Sequence, residues 1–333
     1  MADLRAALIG LGSMGRHHAR VLREIDGVDL VAVSDDRGDP FGVAGALPVL
    51  KSIEDVIAVG IDMAVVAVPT TAHEAVTLAL ADAGVHTMVE KPIAADHEAG
   101  GRMVEAFRRA GLVGAVGHIE RFNPALQSLR ARIANGDLGE VYQIVTRRQG
   151  PFPARIADVG VIKDLGTHDI DLTAWLAQSP YVSVWAQTAS RSGRDHEDLV
   201  AATGRLANGV VTNHLVNWLS PMKERLTIVT GERGAFVADT IGVDLTFYGN
   251  GTLPNEWESV ANFRGVSEGD VTRFALTKRE PLRVEHEVFR DAVLGVRDAV
   301  VTLEEGLATL RVAEGLLRSS ATGEPVTFAE GVS

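Results

Sequence analysis

The sequence predicts a doubly wound parallel α/β domain followed by an α+β domain with a large open, mostly antiparallel sheet. Three observations carry this. Over residues 1–120 short runs that are wholly apolar alternate with helical patterns, as expected of parallel strands covered by helices on both faces. From about residue 140 the apolar runs become alternating, the texture of strands with one covered and one open face. The first run leads directly into Gly10-Leu11-Gly12-Ser13-Met14-Gly15 and then a helical pattern. With 333 residues the chain can bury two cores, and the boundary is set at 1–120 and 121–333.

In order, Ala6 to Ile9 reads as a buried strand and Arg16 to Glu24 as a helix. Leu30 to Asp35 and Ile61 to Val68 are further strands, the latter ending at Pro69. A helix follows from His73 to Ala83 and stops at Gly84. Val85 to Val89, a helix over Asp96 to Ala110 and a strand over Val113 to Gly117 complete the parallel unit. In the second half, strands are expected at Val141 to Arg148, Val182 to Ser190, Leu199 to Leu206, Val210 to Trp218 and Glu224 to Thr230. Turns at Ala207-Asn208-Gly209 and Gly231-Glu232-Arg233-Gly234 divide them. Helices near Pro124 to Ala134 and Thr167 to Leu176 should cover the inner face, and Thr302 to Ser319 closes the chain. The outer face is then a candidate surface for a homodimer or homotetramer.

The glycine turn is assigned to phosphate binding through Gly10, Gly12, Ser13, Met14 and Gly15. Gly10 makes the tight turn, Gly12 lets backbone approach a pyrophosphate, and Gly15 lets the helix pack on the strand. The helix N-terminus presents unpaired N–H groups and a positive dipole end. A dinucleotide fingerprint also needs an acid about twenty residues on, at a strand tip. Asp35 stands there. It can accept both ribose hydroxyls and would repel a 2′-phosphate, which favours NAD over NADP, although Arg37 keeps NADP open.

The formal charge of −12 disfavours a nucleic-acid partner, because such binding rests on a basic field. It leaves room for an anionic small substrate in a locally positive cleft. The absence of cysteine excludes disulfides, thiolate metal sites and covalent thiol catalysis. No apolar run reaches the roughly 18 residues of a membrane span, and no signal-peptide pattern opens the sequence. A cytoplasmic protein is expected.

Two motifs fall where ligands bind in such sheets, beyond the carboxyl ends of strands. Glu90-Lys91-Pro92 follows the fourth strand, and Pro92 can hold Lys91 at a set angle, through a cis bond if one forms. Lys163-Asp164-Leu165-Gly166-Thr167-His168-Asp169-Ile170-Asp171 opens a helix of the second domain. Thr167 is taken as its N-cap, with Asp164 and His168 around the helix entrance. A structural reading makes Asp169 a helix-dipole partner and His168 a satisfied buried imidazole. A metal reading of Asp164, His168 and Asp171 exists as well, but no metal is expected, since hydride transfer to a nicotinamide needs none.

Gly10 to Gly15, Pro69 to His73, Glu90-Lys91-Pro92, Asp164 to Asp171 and the closing Ser320 to Val326 together resemble the glucose-fructose oxidoreductase / inositol dehydrogenase (Gfo/Idh/MocA) family over nearly the whole chain. The resemblance implies a Rossmann domain that binds NAD and an α+β domain whose open sheet mediates oligomer contacts. It implies Lys91 as the motif lysine and Asp164 and His168 as the substrate-side pair, with Pro69, Thr70, His73 and Glu90 joining the cofactor site.

Within the family, Gly117-His118-Ile119-Glu120-Arg121-Phe122-Asn123-Pro124 and Asn217 to Arg225 resemble enzymes that oxidise UDP-linked N-acetyl sugars at the 3-position. Arg121, Asn123 and Lys163 are the further substrate contacts this implies. Arg121, Lys223 and Arg225 can offer donors to a diphosphate or sugar, though Lys223 and Arg225 read equally as solvated strand charges and Trp218 reads as core. A secondary alcohol needs a positioned base, and His168 suits that role with Lys91 on the same oxygen. The expected function is NAD-dependent oxidation of a sugar hydroxyl to a ketone, on a nucleotide sugar or, alternatively, on inositol or a free monosaccharide. A catalytically silent NAD(H) sensor is the remaining alternative, one with no need of a proton-transfer pair.

Overall fold

The computed structural model describes residues 3–153, 159–251, 267–297 and 299–328. In its first half, β1 (Leu4–Ile9), β2 (Val28–Ser34), β3 (Val49–Leu50), β4 (Met63–Val66), β5 (His86–Val89) and β6 (Gly114–Val116) form a six-stranded sheet in the order β3-β2-β1-β4-β5-β6. Every pairing in it is parallel. Four helices connect the strands: α1 (Gly15–Glu24), α2 (Ile53–Ala58), α3 (His73–Asp82) and α4 (His97–Ala110). Burial explains the uniformly apolar strands, since all four residues of β4 are buried. The strand order reverses between β1 and β4, so the loops leaving these strands diverge and open a crevice at their carboxyl ends. β3 and α2 were not foreseen in the sequence; each is short.

The second half carries a nine-stranded sheet, β14-β13-β12-β11-β7-β10-β9-β8-β15. Its strands are β7 (Val141–Pro151), β8 (Tyr181–Ala189), β9 (Leu199–Leu206), β10 (Val211–Asn217), β11 (Leu219–Gly231), β12 (Gly234–Asp239), β13 (Asp244–Gly251), β14 (Ser267–Arg273) and β15 (Val326–Thr327). It is antiparallel except where β10 runs parallel to β7. Along β7 the even positions Ile144, Thr146 and Arg148 are buried and face α6 (Thr167–Ala177). α5 (Pro124–Ala134) packs beside it on β12 and β13. The opposite face exposes Tyr142, Trp185, Leu215, Tyr248 and Val271.

Thr167 is not the N-cap of α6. A single π-type turn over Ile162–Gly166 runs straight into the helix, so Gly166 occupies the cap position with helical backbone. The Thr167 hydroxyl instead donates back to the carbonyls of Lys163 and Asp164. The wide turn makes Asp164 part of the helical segment instead of leaving it in a loop, and a π-turn has no signature in apolar spacing.

Beyond the large sheet the chain returns to the first domain. α7 (Pro281–Val293) contributes Leu282 and Phe289 to the core beneath β1 and β2. α8 (Leu303–Thr322) starts with a capping box, Thr302 to Glu305. Its Leu303 and Leu310 join the core around α3 and α4, whereas Val312, Ala313 and Leu316 join that of the large sheet. No helix among the described residues is long and apolar enough to cross a membrane.

Candidate active site

At the crevice between β1 and β4, Gly10 has φ +98°, and a Cβ placed on it would lie 2.5 Å from the Ala67 carbonyl oxygen. A Cβ on Gly15 would lie 2.1 Å from the Gly10 carbonyl oxygen. Both glycines are thus demanded by the chain's own packing. Gly12 is not, because a Cβ there meets nothing within 4 Å. Among the described residues the amides of Gly12, Ser13 and Met14 donate to no group of the chain. Bare backbone donors facing open space at a helix N-terminus fit a pyrophosphate. Asp35 lies beside them at the end of β2, its Oδ2 accepting from the Leu11 amide (2.8 Å) and its Oδ1 from the Arg37 amide (2.8 Å). Arg37 itself is exposed, near Asp36.

Across the crevice, Pro69 closes β4 and Thr70 begins a short 3₁₀ turn leading to α3. His73 is buried, with Nδ1 3.0 Å from the Pro92 carbonyl and Nε2 3.0 Å from that of Val68. It ties the loop after β4 to the loop after β5. The Lys91–Pro92 peptide is cis. Burial drives the His73 pKa down, and the hydrogen bonds to the Val68 and Pro92 carbonyls oppose that shift.

Lys91 leaves that loop towards the second domain and donates from Nζ to both the carbonyl oxygen and Oδ1 of Asp164, each at 2.7 Å. Both side chains are largely buried. His168 lies one turn beyond Asp164, largely buried with 9% of its surface exposed, and among the described residues its Nδ1 has no hydrogen-bond partner. Burial first, then the charges of Lys91 and Arg148, hold its pKa well below the ordinary imidazole range. It is therefore a neutral imidazole beside an ammonium group. The His118 ring stands edge-on to it, 6.3 Å between centroids.

Behind this pair lies an ionic lattice with little signature in the residue pattern. Arg148 on β7 donates from Nε to Asp169 (3.0 Å) and from Nη1 to Glu120 (2.9 Å). Arg225 on β11 reaches the same Glu120 oxygen at 3.3 Å. Burial opposes the Glu120 charge, but Arg148 and Arg225 outweigh it and hold the carboxyl below its usual range. Asp169 is therefore an ion-pair partner more than a helix-dipole partner. On the cofactor side, His18 bridges Glu90 Oε1 (2.9 Å) and His286 Nε2 (2.8 Å), with Glu285 buried next in sequence on α7. His18 sits three residues past Gly15, a spacing that could have flagged it; nothing in the pattern around 285 and 286 does.

The remaining expected contacts are distributed. Arg121 is 8% exposed and spends its guanidinium on Asp171 and Glu305. Asn123 caps α5 through the Ala125 amide and donates to the Thr240 carbonyl. In the ligand-free chain the polar atoms of both side chains are thus engaged with the fold. Lys163 donates to the Ala95 carbonyl at 2.7 Å, linking the two domains near Lys91. Arg225 is partly open and Lys223 exposed, while Trp218 is core. Among the described residues no cluster of three or more His, Asp or Glu side chains is arranged to hold a metal ion.

Comparison with known proteins fits this geometry. The oxidoreductase family model for the NAD-binding Rossmann fold matches residues 4–118, and the GFO/IDH/MocA C-terminal domain model matches residues 126–237. The chain is also 31% identical to UDP-N-acetylglucosamine 3-dehydrogenase of Acidithiobacillus ferrooxidans, over 96% of each protein.

The chain belongs to the Gfo/Idh/MocA family.

As a member it is an NAD-dependent dehydrogenase, and the free amides after β1 with Asp35 are the features that fit that cofactor. It is 26% identical to scyllo-inositol 2-dehydrogenase (NAD(+)) of Bacillus subtilis, covering 97% of this chain and 96% of that protein. The solved structure of the Acidithiobacillus ferrooxidans 3-dehydrogenase superposes with TM-score 0.84 at 27% identity, covering 97% of this chain and 99% of the other. Family membership thus brings both nucleotide-sugar and cyclitol oxidoreductases into view.

Proposed function

We propose that this dehydrogenase oxidises a secondary hydroxyl of a sugar to a ketone, with the 3-hydroxyl of a UDP-linked N-acetyl sugar as the preferred substrate. The observation that carries the reading is the neutral, enclosed His168 next to Lys91 and Asp164. NAD supplies the hydride acceptor when bound. Lys91 donates a hydrogen bond to the reacting oxygen and stabilises developing alkoxide charge. His168 takes the hydroxyl proton, which a neutral imidazole can do and an imidazolium cannot. Asp164 holds the Lys91 ammonium in place, and among the described residues its buried Oδ2 has no hydrogen-bond partner. Pro69, Thr70, His73 and Glu90 line or brace the cofactor side.

The 31% identity to a UDP-N-acetylglucosamine 3-dehydrogenase supports the nucleotide-sugar choice. Arg225, partly open at the edge of the ionic lattice, and Lys223 are the cations within reach of a diphosphate. Inositol is the second reading, favoured by the relationship to an inositol dehydrogenase. Incubating the enzyme with NAD and, separately, UDP-N-acetylglucosamine, myo-inositol and glucose, and following NADH absorbance, discriminates them. Reduction with the nucleotide sugar alone is expected; reduction only with myo-inositol would replace the preferred reading, and none with any would favour a sensor. We also take the apolar outer face of the nine-stranded sheet as the surface of a homodimer or homotetramer in the cytoplasm. Light scattering that gives the mass of a single chain would exclude such an assembly.

A further inference from the structure

A cavity of about 380 Å³ lies between the C-terminal half of α6 and α8, and neither Lys91, Asp164 nor His168 lines it. Its size falls within the roughly 300–1,000 Å³ range of small-molecule sites. One part of the wall is apolar and flat, formed by Trp175, Phe328, Ile170 and Val312. The rest is unusual in its charges. Three arginines, at 121, 130 and 311, line the cavity, with two carboxylates, Asp171 and Glu305. Both carboxylates are taken by Arg121. Arg130 gives a single N–H to the Leu176 carbonyl (3.0 Å) and stacks on Trp175 at 5.4 Å. Arg311 stacks on Phe328 at 5.5 Å. Among the described residues neither has a carboxylate partner.

We infer that this cavity is a second ligand site, for a small aromatic carboxylate whose acid group lies between Arg130 and Arg311 and whose ring lies against Trp175 and Phe328. Guanidinium groups favour carboxylates because they present paired donors in one plane. Burial and the like charge of Arg121, which also stacks on Trp175 at 5.9 Å, push the Arg130 pKa down, and an anion would offset both by its opposite charge. The site is separate from the catalytic pair but touches it indirectly. Arg121 holds Asp171, whose Oδ2 is 3.9 Å from His118 Nδ1, and His118 stands edge-on to His168. An occupant bearing on Arg121 thus has a route to the catalytic imidazole.

The test is titration of the full chain with benzoate, benzamide and inorganic phosphate, followed by tryptophan fluorescence and by thermal shift. Benzoate should bind saturably and at least about tenfold more tightly than its neutral isostere benzamide or the ringless phosphate, a gap of about 1.4 kcal/mol. R311Q, on a partly exposed side chain whose loss breaks no hydrogen bond, should weaken benzoate several-fold with an unchanged melting temperature in its absence. R130Q should weaken benzoate too, with a lower melting temperature because the bond to the Leu176 carbonyl goes with it. W175F should abolish the fluorescence response, and K91A should leave benzoate binding intact. Equal binding of benzamide, a non-saturating response, or benzoate binding lost in K91A but untouched in R311Q would each overturn the assignment.

Discussion

The Lys91 ammonium is held twice by one residue, at 2.7 Å from the Asp164 carbonyl oxygen and 2.7 Å from its Oδ1. Two hydrogen bonds donated to a residue of the second domain aim a lysine rooted in the first. K91A should therefore bind NAD nearly as well as the parent and lose turnover by at least about a hundredfold, the scale of a lost donor to a developing oxyanion. D164N, which keeps the backbone acceptor and can offer an amide oxygen in place of Oδ1 but loses the charge, should lose less. Tryptophan-to-NADH energy transfer gives binding and NADH absorbance gives rate. Near-parental turnover in K91A would remove Lys91 from the mechanism.

The glycines of the first turn should separate by what a methyl group meets. G15A drives a Cβ into the Gly10 carbonyl and should lower the melting temperature. G12A has open space and should fold normally, yet weaken NAD, because the methyl occupies the volume where the pyrophosphate comes to the backbone. Calorimetric melting with and without NAD checks both; an unstable G12A, or one that binds NAD unimpaired, contradicts the assignment.

His168 sets the acid limb of the pH profile. Its pKa is depressed, chiefly by burial and then by Lys91, Arg148, His118 and Arg225, so the base form persists below the ordinary imidazole value of about 6.5. kcat/KM for alcohol oxidation should hold as pH falls through 6.5 and decline only at lower pH. An acid limb centred above 6.5 would assign the base elsewhere. Depressed imidazoles also affect stability. His73, His118, His168 and His286 contribute stability present above the unfolded value near 6.5 and lost as pH falls through their folded values.

Glu285 has the opposite sign. Burial, then the charges of Glu90 and Asp171, raise its pKa, and among the described residues neither carboxyl oxygen has a hydrogen-bond partner. The folded protein keeps it protonated while the unfolded chain ionises near 4.5, so its penalty grows as pH rises from there towards the folded value. E285Q should raise the melting temperature at pH 7.5 by roughly 2 °C or more, and the gain should vanish near pH 4. A variant less stable than the parent at both pH values would show that the acid is needed for packing.

Arg148 has two buried carboxylate partners, Asp169 and Glu120. R148A leaves both without their main cation and should cost about 3–5 kcal/mol, measured by urea unfolding. A loss under 1 kcal/mol would mean that water or Arg225 compensates.

The parallel domain was legible because its strands are apolar throughout and its turn residues sit at fixed offsets. Lys91, Asp164 and His168 were legible because short motifs place them at element ends. The ionic lattice was not. Arg148 looks like an ordinary charge on an alternating strand, and only the register that puts it opposite α6 reveals that it faces inward. α7 was missed for a related reason: nothing local says that Leu282 and Phe289 complete a core begun some 280 residues earlier. Thr167 misled because a threonine before an acidic turn is the usual mark of a cap, whereas here a π-turn feeds the helix from behind.

α8 bears on how such enzymes can be recombined. Because Leu303 and Leu310 pack into the first core and Val312, Ala313 and Leu316 into the second, one rigid rod of 20 residues is shared by both halves. A chimera joined at residue 120, with a foreign substrate half, would import that rod and α7 as well, replacing part of the cofactor domain's interior wall along with the specificity it was meant to change. Exchange of substrate preference between relatives is then a matter of transplanting the cleft-facing strands and leaving the last fifty residues at home.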